Sequence, residues 1–268
     1  MTAFADLVRL AREDPVAFLE VPRNDCTAAA RQFASEQREQ VRERHAAGES
    51  GLNVVRMLTD NADRLIRGVL DFGLCSVANR QTLMSRISLC ALGGYGRSEL
   101  SPFSDLDVCL LYETSLDDNT RALNSYLLHF LWDLGFEVGY GIRSIQETVE
   151  LAGNDLKAFT CMLESRLIAG DSTTFARLKL HLRELLASDR VSREYVASRV
   201  HSRYEGLPEE YQDLYHTEPN IKENKGGLRD FHTALWLLMM AYGPLTVDDV
   251  VAQGIITPEE HLVIVQGL

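Results

Sequence analysis

The sequence is short of positive charge. Against 39 Asp and Glu it carries 27 Lys and Arg, a formal net charge of −12. Neutralising a phosphate backbone needs a basic surface, so a nucleic acid is not expected as a partner. Long apolar runs are missing too, and the N-terminus lacks the apolar stretch of a signal peptide. A soluble, cytoplasmic protein with no membrane contact is therefore expected. The cysteines, Cys26, Cys75, Cys90, Cys109 and Cys161, are odd in number, scattered, and form no C-x-x-C pair. That argues against a disulfide framework or a zinc ribbon and suits buried free thiols in a reducing compartment. The seven histidines are dispersed with no H-E-x-x-H spacing, so none stands out as a metal ligand. Repeats and low-complexity tracts are absent.

What is present suits one large domain or two modest ones: 268 residues, of which 46% are apolar. The organising stretch is 87–112, ISLCALGGYGRSELSPFSDLDVCLLY. It reads as an apolar strand, a turn at Gly93-Gly94-Tyr95-Gly96-Arg97, a short polar bridge and a second apolar strand. Side chains alternate faces along a strand, so Asp105 and Asp107 share one face while Leu106 and Val108 take the other. Two carboxylates at a strand's mouth suit a hard divalent cation, and Mg²⁺ binds one or two carboxylates together with phosphate oxygens. Adjacent glycines admit a ligand close to the backbone and leave N–H groups to cradle phosphate. Together these parts match the signature of phosphate-transferring nucleotidyl enzymes.

Residues 1–50 read as an N-terminal helical segment, thinly apolar. Its Arg31, Arg38, Arg42 and Arg44 are interleaved with Glu36, Glu39 and Glu43, as expected for intrahelical pairs. The spacing of Leu52, Val55, Leu58, Ala62, Leu65, Ile66, Val69 and Leu70 predicts a helix backing the sheet, with Gly73 as its C-cap. Leu123, Leu127, Phe130, Leu131 and Leu134 predict another helix, closed by Gly135. A third strand follows over 136–143, and Ser144-x-x-Glu147 reads as a capping box. Past residue 150 helical spacing takes over: Asp155–Ala169 with Gly170 as its stop, then 172–187, 192–205 and 231–242, with Thr257-Pro258 opening a last helix. The fold class is α/β: a mixed-sheet core over 51–152 followed by an all-helical domain over 153–268.

The blocks GGYGRSELSPFSDLDV, EVGYGIRS, DLKAFTCMLESRLIAGD and EPNIKENKGGLRD occur in this order between residues 92 and 231. In this they resemble the bacterial PII uridylyltransferase/uridylyl-removing enzymes. The resemblance implies a fold similar to nucleotidyltransferase beta and transfer of UMP from a nucleoside triphosphate, UTP favoured, to a tyrosine of a PII-type nitrogen-signalling protein, with Mg²⁺ or Mn²⁺ as cofactor. On it Asp105 and Asp107 are the catalytic metal ligands, and Gly93, Gly94 and Ser104 cradle the β- and γ-phosphates. Arg97 adds a cation there or pairs with Glu99. A third carboxylate is offered by Glu137, which shares a strand face with Gly139, or by Asp155, which is also a natural helix N-cap. Gly139 stands where related adenylyltransferases carry an aspartate, and Tyr140-Gly141-Ile142 departs from the family's usual H-S-V. In the loop 218–230, Lys222 and Arg229 lead an anion site at Gly226-Gly227, before a helix whose N–H groups are expected to be unsatisfied and whose N-cap is Asp230. The resembled enzymes continue into a phosphohydrolase domain and ligand-sensing domains. A chain ending at Leu268 is expected to lack both, and with them UMP removal. The rival readings are adenylyl transfer, another acceptor, and a non-catalytic nucleotide-binding regulatory module.

Overall fold

A computed structural model describes residues 2–113, 115–201, 220–243 and 247–267. The chain divides into two compact units, Met1–Lys179 and Leu180–Leu268.

In the first unit α1 (Phe4–Glu13), α2 (Pro15–Leu19), α3 (Arg23–Ala46), α4 (Gly51–Leu74) and α5 (Arg80–Met84) precede the first strand. Then follow β1 (Ile87–Ala91), a one-turn α6 (Gly93–Gly96), β2 (Leu106–Tyr112), α7 (Asp118–Asp133), β3 (Val138–Ser144), α8 (Ile145–Asn154), α9 (Leu156–Leu163) and β4 (Arg166–Gly170). The next helix, α10 (Ser172–Leu186), runs across the unit boundary. The sheet has the order β3-β2-β1-β4. β1 is antiparallel to both β2 and β4, whereas β2 and β3 are parallel. The parallel pair needs a crossover, and α7 supplies it. The expected α/β architecture with a mixed sheet is what the chain adopts.

One face of the sheet carries Ile87, Leu89, Ala91, Leu106, Val108, Leu110 and Ile168 into a single core with Leu65, Ile66 and Val69 of α4 and Leu123, Leu127 and Phe130 of α7. The few apolar residues of the N-terminal segment are well spent. Phe4, Leu7, Ala11, Phe18 and Cys26 join the same core, and the Phe4 ring lies 4.9 Å from Phe33 and 5.6 Å from Phe72. The α3 arginines depart from expectation. Arg42 pairs within the helix, with Glu39, but Arg31 donates to the Asp133 carbonyl and Arg38 lies over the Phe136 ring. Gly73 is not a cap: it sits inside α4, where a Cβ would come within 2.8 Å of Leu123 and Tyr126 on α7. It is a close-packing position between two helices.

The expected helix over Asp155–Ala169 is corrected most. Leu156, Phe159 and Leu163 do define α9, but the helix ends at Leu163, and Leu167 belongs to β4, which pairs with β1. A short apolar run such as Arg166-Leu167-Ile168-Ala169 has no period long enough to separate strand from helix. The unpaired edge of β1 decides it.

Among the described residues of the second unit, α11 (Asp189–Val200), α12 (Leu228–Tyr242), α13 (Val247–Ala252) and α14 (Pro258–Gly267) follow α10, and no strand occurs. The Trp236 ring of α12 meets Tyr195 edge-on at 6.3 Å and stacks on His232 at 6.1 Å. Thr257 and Glu260 cap α14 reciprocally. The expected helix over 192–205 corresponds to α11, and its last residues, like Glu218 and Pro219, lie outside the described residues.

Candidate functional site

The glycine turn and the carboxylates meet at one end of the sheet. The Leu92 N–H donates to the Asp107 carbonyl at 2.9 Å, extending the β1–β2 ladder by one pair, so Gly93 begins beside Asp107. A Cβ on Gly93 would lie 3.8 Å from Asp107 Oδ2, and its φ of +53° is one that glycine adopts freely. The first bond of the one-turn helix is Gly96 N–H to Leu92 O. That leaves the N–H groups of Gly93, Gly94 and Tyr95 without an acceptor among the described residues. Gly94 has no positive φ, and a Cβ there would make only ordinary 3.6 Å contacts with Arg97 and Glu99. Backbone geometry therefore demands glycine at 93 but not at 94.

Asp105 and Asp107 are exposed on either side of the buried Leu106. The parallel register sets Leu106 opposite Val138 and Asp107 opposite Gly139, and the Leu106 N–H donates to the Glu137 carbonyl at 2.9 Å. Asp107 thus lies on the face of the sheet opposite the core, and Asp105 and Glu137 immediately precede the two paired strands at the same end. Gly139 leaves the room that Asp107 occupies, because a Cβ there would collide with Asp107 Oδ1. Asp155, the other acid considered, is the N-cap of α9: its Oδ1 accepts the N–H groups of Lys157 at 2.8 Å and Ala158 at 2.9 Å. No group of three His, Cys, Asp or Glu side chains able to hold a metal occurs among the described residues. Two exposed carboxylates are nonetheless a donor set that fits Mg²⁺, which takes its remaining ligands from phosphate oxygens and water. Cys109 follows Asp107 on the same face but is buried, and that burial pushes its thiol up to about 11, so it stays protonated. None of the five cysteines is in a disulfide. Ser104 lies in an exposed bridge, 101–105, with its N–H on the Ser101 carbonyl.

The cationic side chains stand differently from expectation. Arg97 is held between two carboxylates, with Nε on Glu99 at 2.7 Å and Nη1 on Glu164 at 2.6 Å, and is largely buried. The expected pair with Glu99 forms, and the near-buried Glu164 strengthens it. In the second unit Arg229 donates to Glu223 at 3.2 Å, while Lys222 is exposed. The backbone donors of that loop are already used. Gly226 N–H goes to the Asp230 carboxylate, Gly227 N–H to Asn224 O, Leu228 N–H to Ile221 O and Arg229 N–H to Lys222 O. Gly227, not Asp230, is the N-cap of α12. From Gly226 to Arg229 the turn satisfies its own N–H groups, which are therefore not open to an anion.

Two residues in the support of the glycine turn escaped the sequence analysis. Thr59 and Asp63, one turn apart on α4, are buried, and both bond to the segment that follows β1. Thr59-Ala62-Asp63-Ile66 follows the same i, i+3, i+4, i+7 spacing as the apolar stripe. A carboxylate on a buried stripe is itself a signal, because it must find partners.

The geometry defines an α/β protein with an acidic sheet end beside a glycine turn. The comparisons supply its relatives. Residues 194–265 match the family model described as GlnD PII-uridylyltransferase. Over 198 residues, 73% of this chain, it is 36% identical to the bifunctional uridylyltransferase/uridylyl-removing enzyme of Caulobacter vibrioides. It is 34% identical over 226 residues to that of Azospirillum brasilense and 33% identical over 183 residues to that of Vibrio atlanticus, 83% and 68% of this chain. The chain is a relative of these enzymes and spans 21% to 24% of their length. Among the described residues no helix is long and apolar enough to cross a membrane.

Proposed function

We propose that this chain is a nucleotidyltransferase with a nucleotidyltransferase-beta-like core, which transfers UMP from UTP to a tyrosine hydroxyl of a PII-type protein in the cytoplasm. One observation carries it: two exposed carboxylates, Asp105 and Asp107, flank a buried leucine at the sheet end where Gly93 and Gly94 present N–H groups. The names of the relatives supply the nucleotide and the acceptor class. Asp105 and Asp107 would hold Mg²⁺ or Mn²⁺, whose contribution when bound is to neutralise charge on the phosphate oxygens. Gly93, Gly94 and Ser104 bind the β- and γ-phosphates and so orient the α-phosphate for in-line attack. The tyrosine oxygen forms a bond to the α-phosphorus, the bond to the bridging oxygen breaks, and pyrophosphate leaves.

A phenol with an unperturbed pKa of about 10 must lose its proton to attack. Glu137 directly precedes β3, the strand paired with β2, whereas Asp155 is used as a helix cap, and on that ground we assign Glu137 the general base. Glu137→Gln should lower kcat roughly a hundredfold or more. Asp155→Ala should instead cost about 1 kcal/mol of stability through the lost cap and leave kcat near normal. Single-turnover rates and thermal melts of the two variants separate them, and the reverse pattern would exchange the roles.

We infer that Lys222 and Arg229 contact the nucleotide through their side chains. Lys222→Ala combined with Arg229→Ala should raise the KM for UTP, and an unchanged KM removes them from the site. The test of the function as a whole is incubation with each labelled nucleoside triphosphate, Mg²⁺ and a PII acceptor. Label on the PII tyrosine from UTP is the expected result. Preferential use of ATP would make the chain an adenylyltransferase.

A further inference from the structure

The support of the glycine turn is polar, buried and one-sided. Asp63, 5% exposed, accepts the Tyr95 O–H on Oδ1 at 2.7 Å. Arg166 of β4 forks onto the same carboxylate at 2.7 and 3.0 Å, and its Nη2 lies 3.4 Å from the Tyr95 carbonyl oxygen. Arg67 adds a third cationic contact at 3.1 Å, while its Nε is fixed on the Ile168 carbonyl. Thr59 Oγ1 accepts the Leu100 N–H at 3.2 Å. Just past α9, Glu164 holds Arg97, and its carbonyl oxygen would stand 2.5 Å from a Cβ on Gly96. The segment is thus gripped at Tyr95, Gly96, Arg97 and Leu100. The N–H groups of Gly93 and Gly94 have no acceptor among the described residues, and Gly93 lies beside Asp107.

Stability alone does not call for this arrangement. A buried ion pair is often matched or bettered by apolar residues of similar volume, and what it adds is a fixed orientation. Burial, reinforced by Asp63, raises the Tyr95 phenol well above its ordinary value, so Tyr95 keeps its proton and remains the donor. The hydrogen bond to a carboxylate is of the stronger, charge-assisted kind. Arg166 supplies two parallel N–H groups that a lysine cannot.

We propose that Asp63 and Arg166 are positioning residues that fix the glycine turn through Tyr95, so that the N–H groups of Gly93 and Gly94 meet the β- and γ-phosphates of a nucleoside triphosphate. This rests on the nucleotidyltransferase reading given above. It assigns a role to the first residue of β4 and to a buried acid on α4, each acting through Tyr95.

The test is Tyr95→Phe, which removes one oxygen and keeps the ring, made in this 268-residue chain. Calorimetric titration with UTP and Mg²⁺ should show a Kd raised roughly tenfold or more, the scale of disturbing groups that orient a binding shell. UMP, which lacks the β- and γ-phosphates, should lose little affinity. Arg166→Lys should act in the same direction, and it carries the test if Tyr95→Phe does not fold. Unchanged UTP affinity in a folded variant overturns the proposal. So does an equal loss for UTP and UMP, because the damage is then general. If the unaltered chain binds none of the four nucleoside triphosphates, the nucleotidyltransferase reading falls, and the positioning role falls with it.

Discussion

Asp107→Asn should lower the rate of UMP transfer by about a hundredfold or more, the scale on which loss of one preorganised charge-stabilising group is felt. The amide keeps the shape of the carboxylate and removes only its charge. Asp107 is exposed, and Gly139 on the neighbouring strand leaves it clearance, so the substitution asks nothing of the core. Stability should therefore stay within about 0.5 kcal/mol of the starting protein, as for most surface substitutions. Asp105→Asn should behave alike, since Asp105 is exposed on the other side of Leu106. The decisive pair of measurements is single-turnover transfer from UTP to a PII acceptor with Mg²⁺, and a thermal melt of the same preparation. Near-normal turnover in the double variant would falsify the metal-site assignment, and a large fall in melting temperature would give these carboxylates a structural role instead.

Where one physical constraint acts locally, the sequence was enough. Alternation alone put Asp107 on the face of β2 opposite Leu106 and Val108, because the period of a strand leaves no other option. The capping box at Ser144 and Glu147 formed as its spacing requires, and Asp155 capped α9. Constraints between distant segments were not legible. β4 is a strand because β1 offers it an edge 75 residues or more upstream, and nothing in Arg166–Gly170 says so locally. Arg97 pairs with Glu164, 67 residues away, through a contact that spacing along the chain cannot show. The loop before α12 was expected to present N–H groups to an anion, but the carbonyls of Ile221, Lys222 and Asn224 and the carboxylate of Asp230 take them first. A helix start with vacant donors is an average expectation, and a preceding tight turn can remove it.

The glycines of the turn should separate binding from stability. Gly96→Ala is expected to destabilise, because its Cβ would come within 2.5 Å of the Glu164 carbonyl oxygen and 3.0 Å of that of Ala91. Both are backbone atoms, and neither can yield without parting the turn from the segment after α9 and from the end of β1. Overpacking of this kind costs about 1–3 kcal/mol. For a chain of this size that is a fall in melting temperature of roughly 2–4 °C per kcal/mol. Gly94 differs. Its φ is not in the left-handed region, and a Cβ would meet only Arg97 and Glu99 at 3.6 Å, so the fold accepts a side chain there. What a branched side chain would crowd is the turn itself, where the N–H groups of Gly93 and Gly94 have no acceptor among the described residues and Gly93 lies beside Asp107. Gly94→Val should accordingly weaken binding of UTP with Mg²⁺ by roughly tenfold or more, the effect of displacing a phosphate from its donors, with little change in the melt. If Gly94→Val melts as early as Gly96→Ala while its affinity for UTP is retained, the turn is structural at both positions, and the phosphates must bind elsewhere.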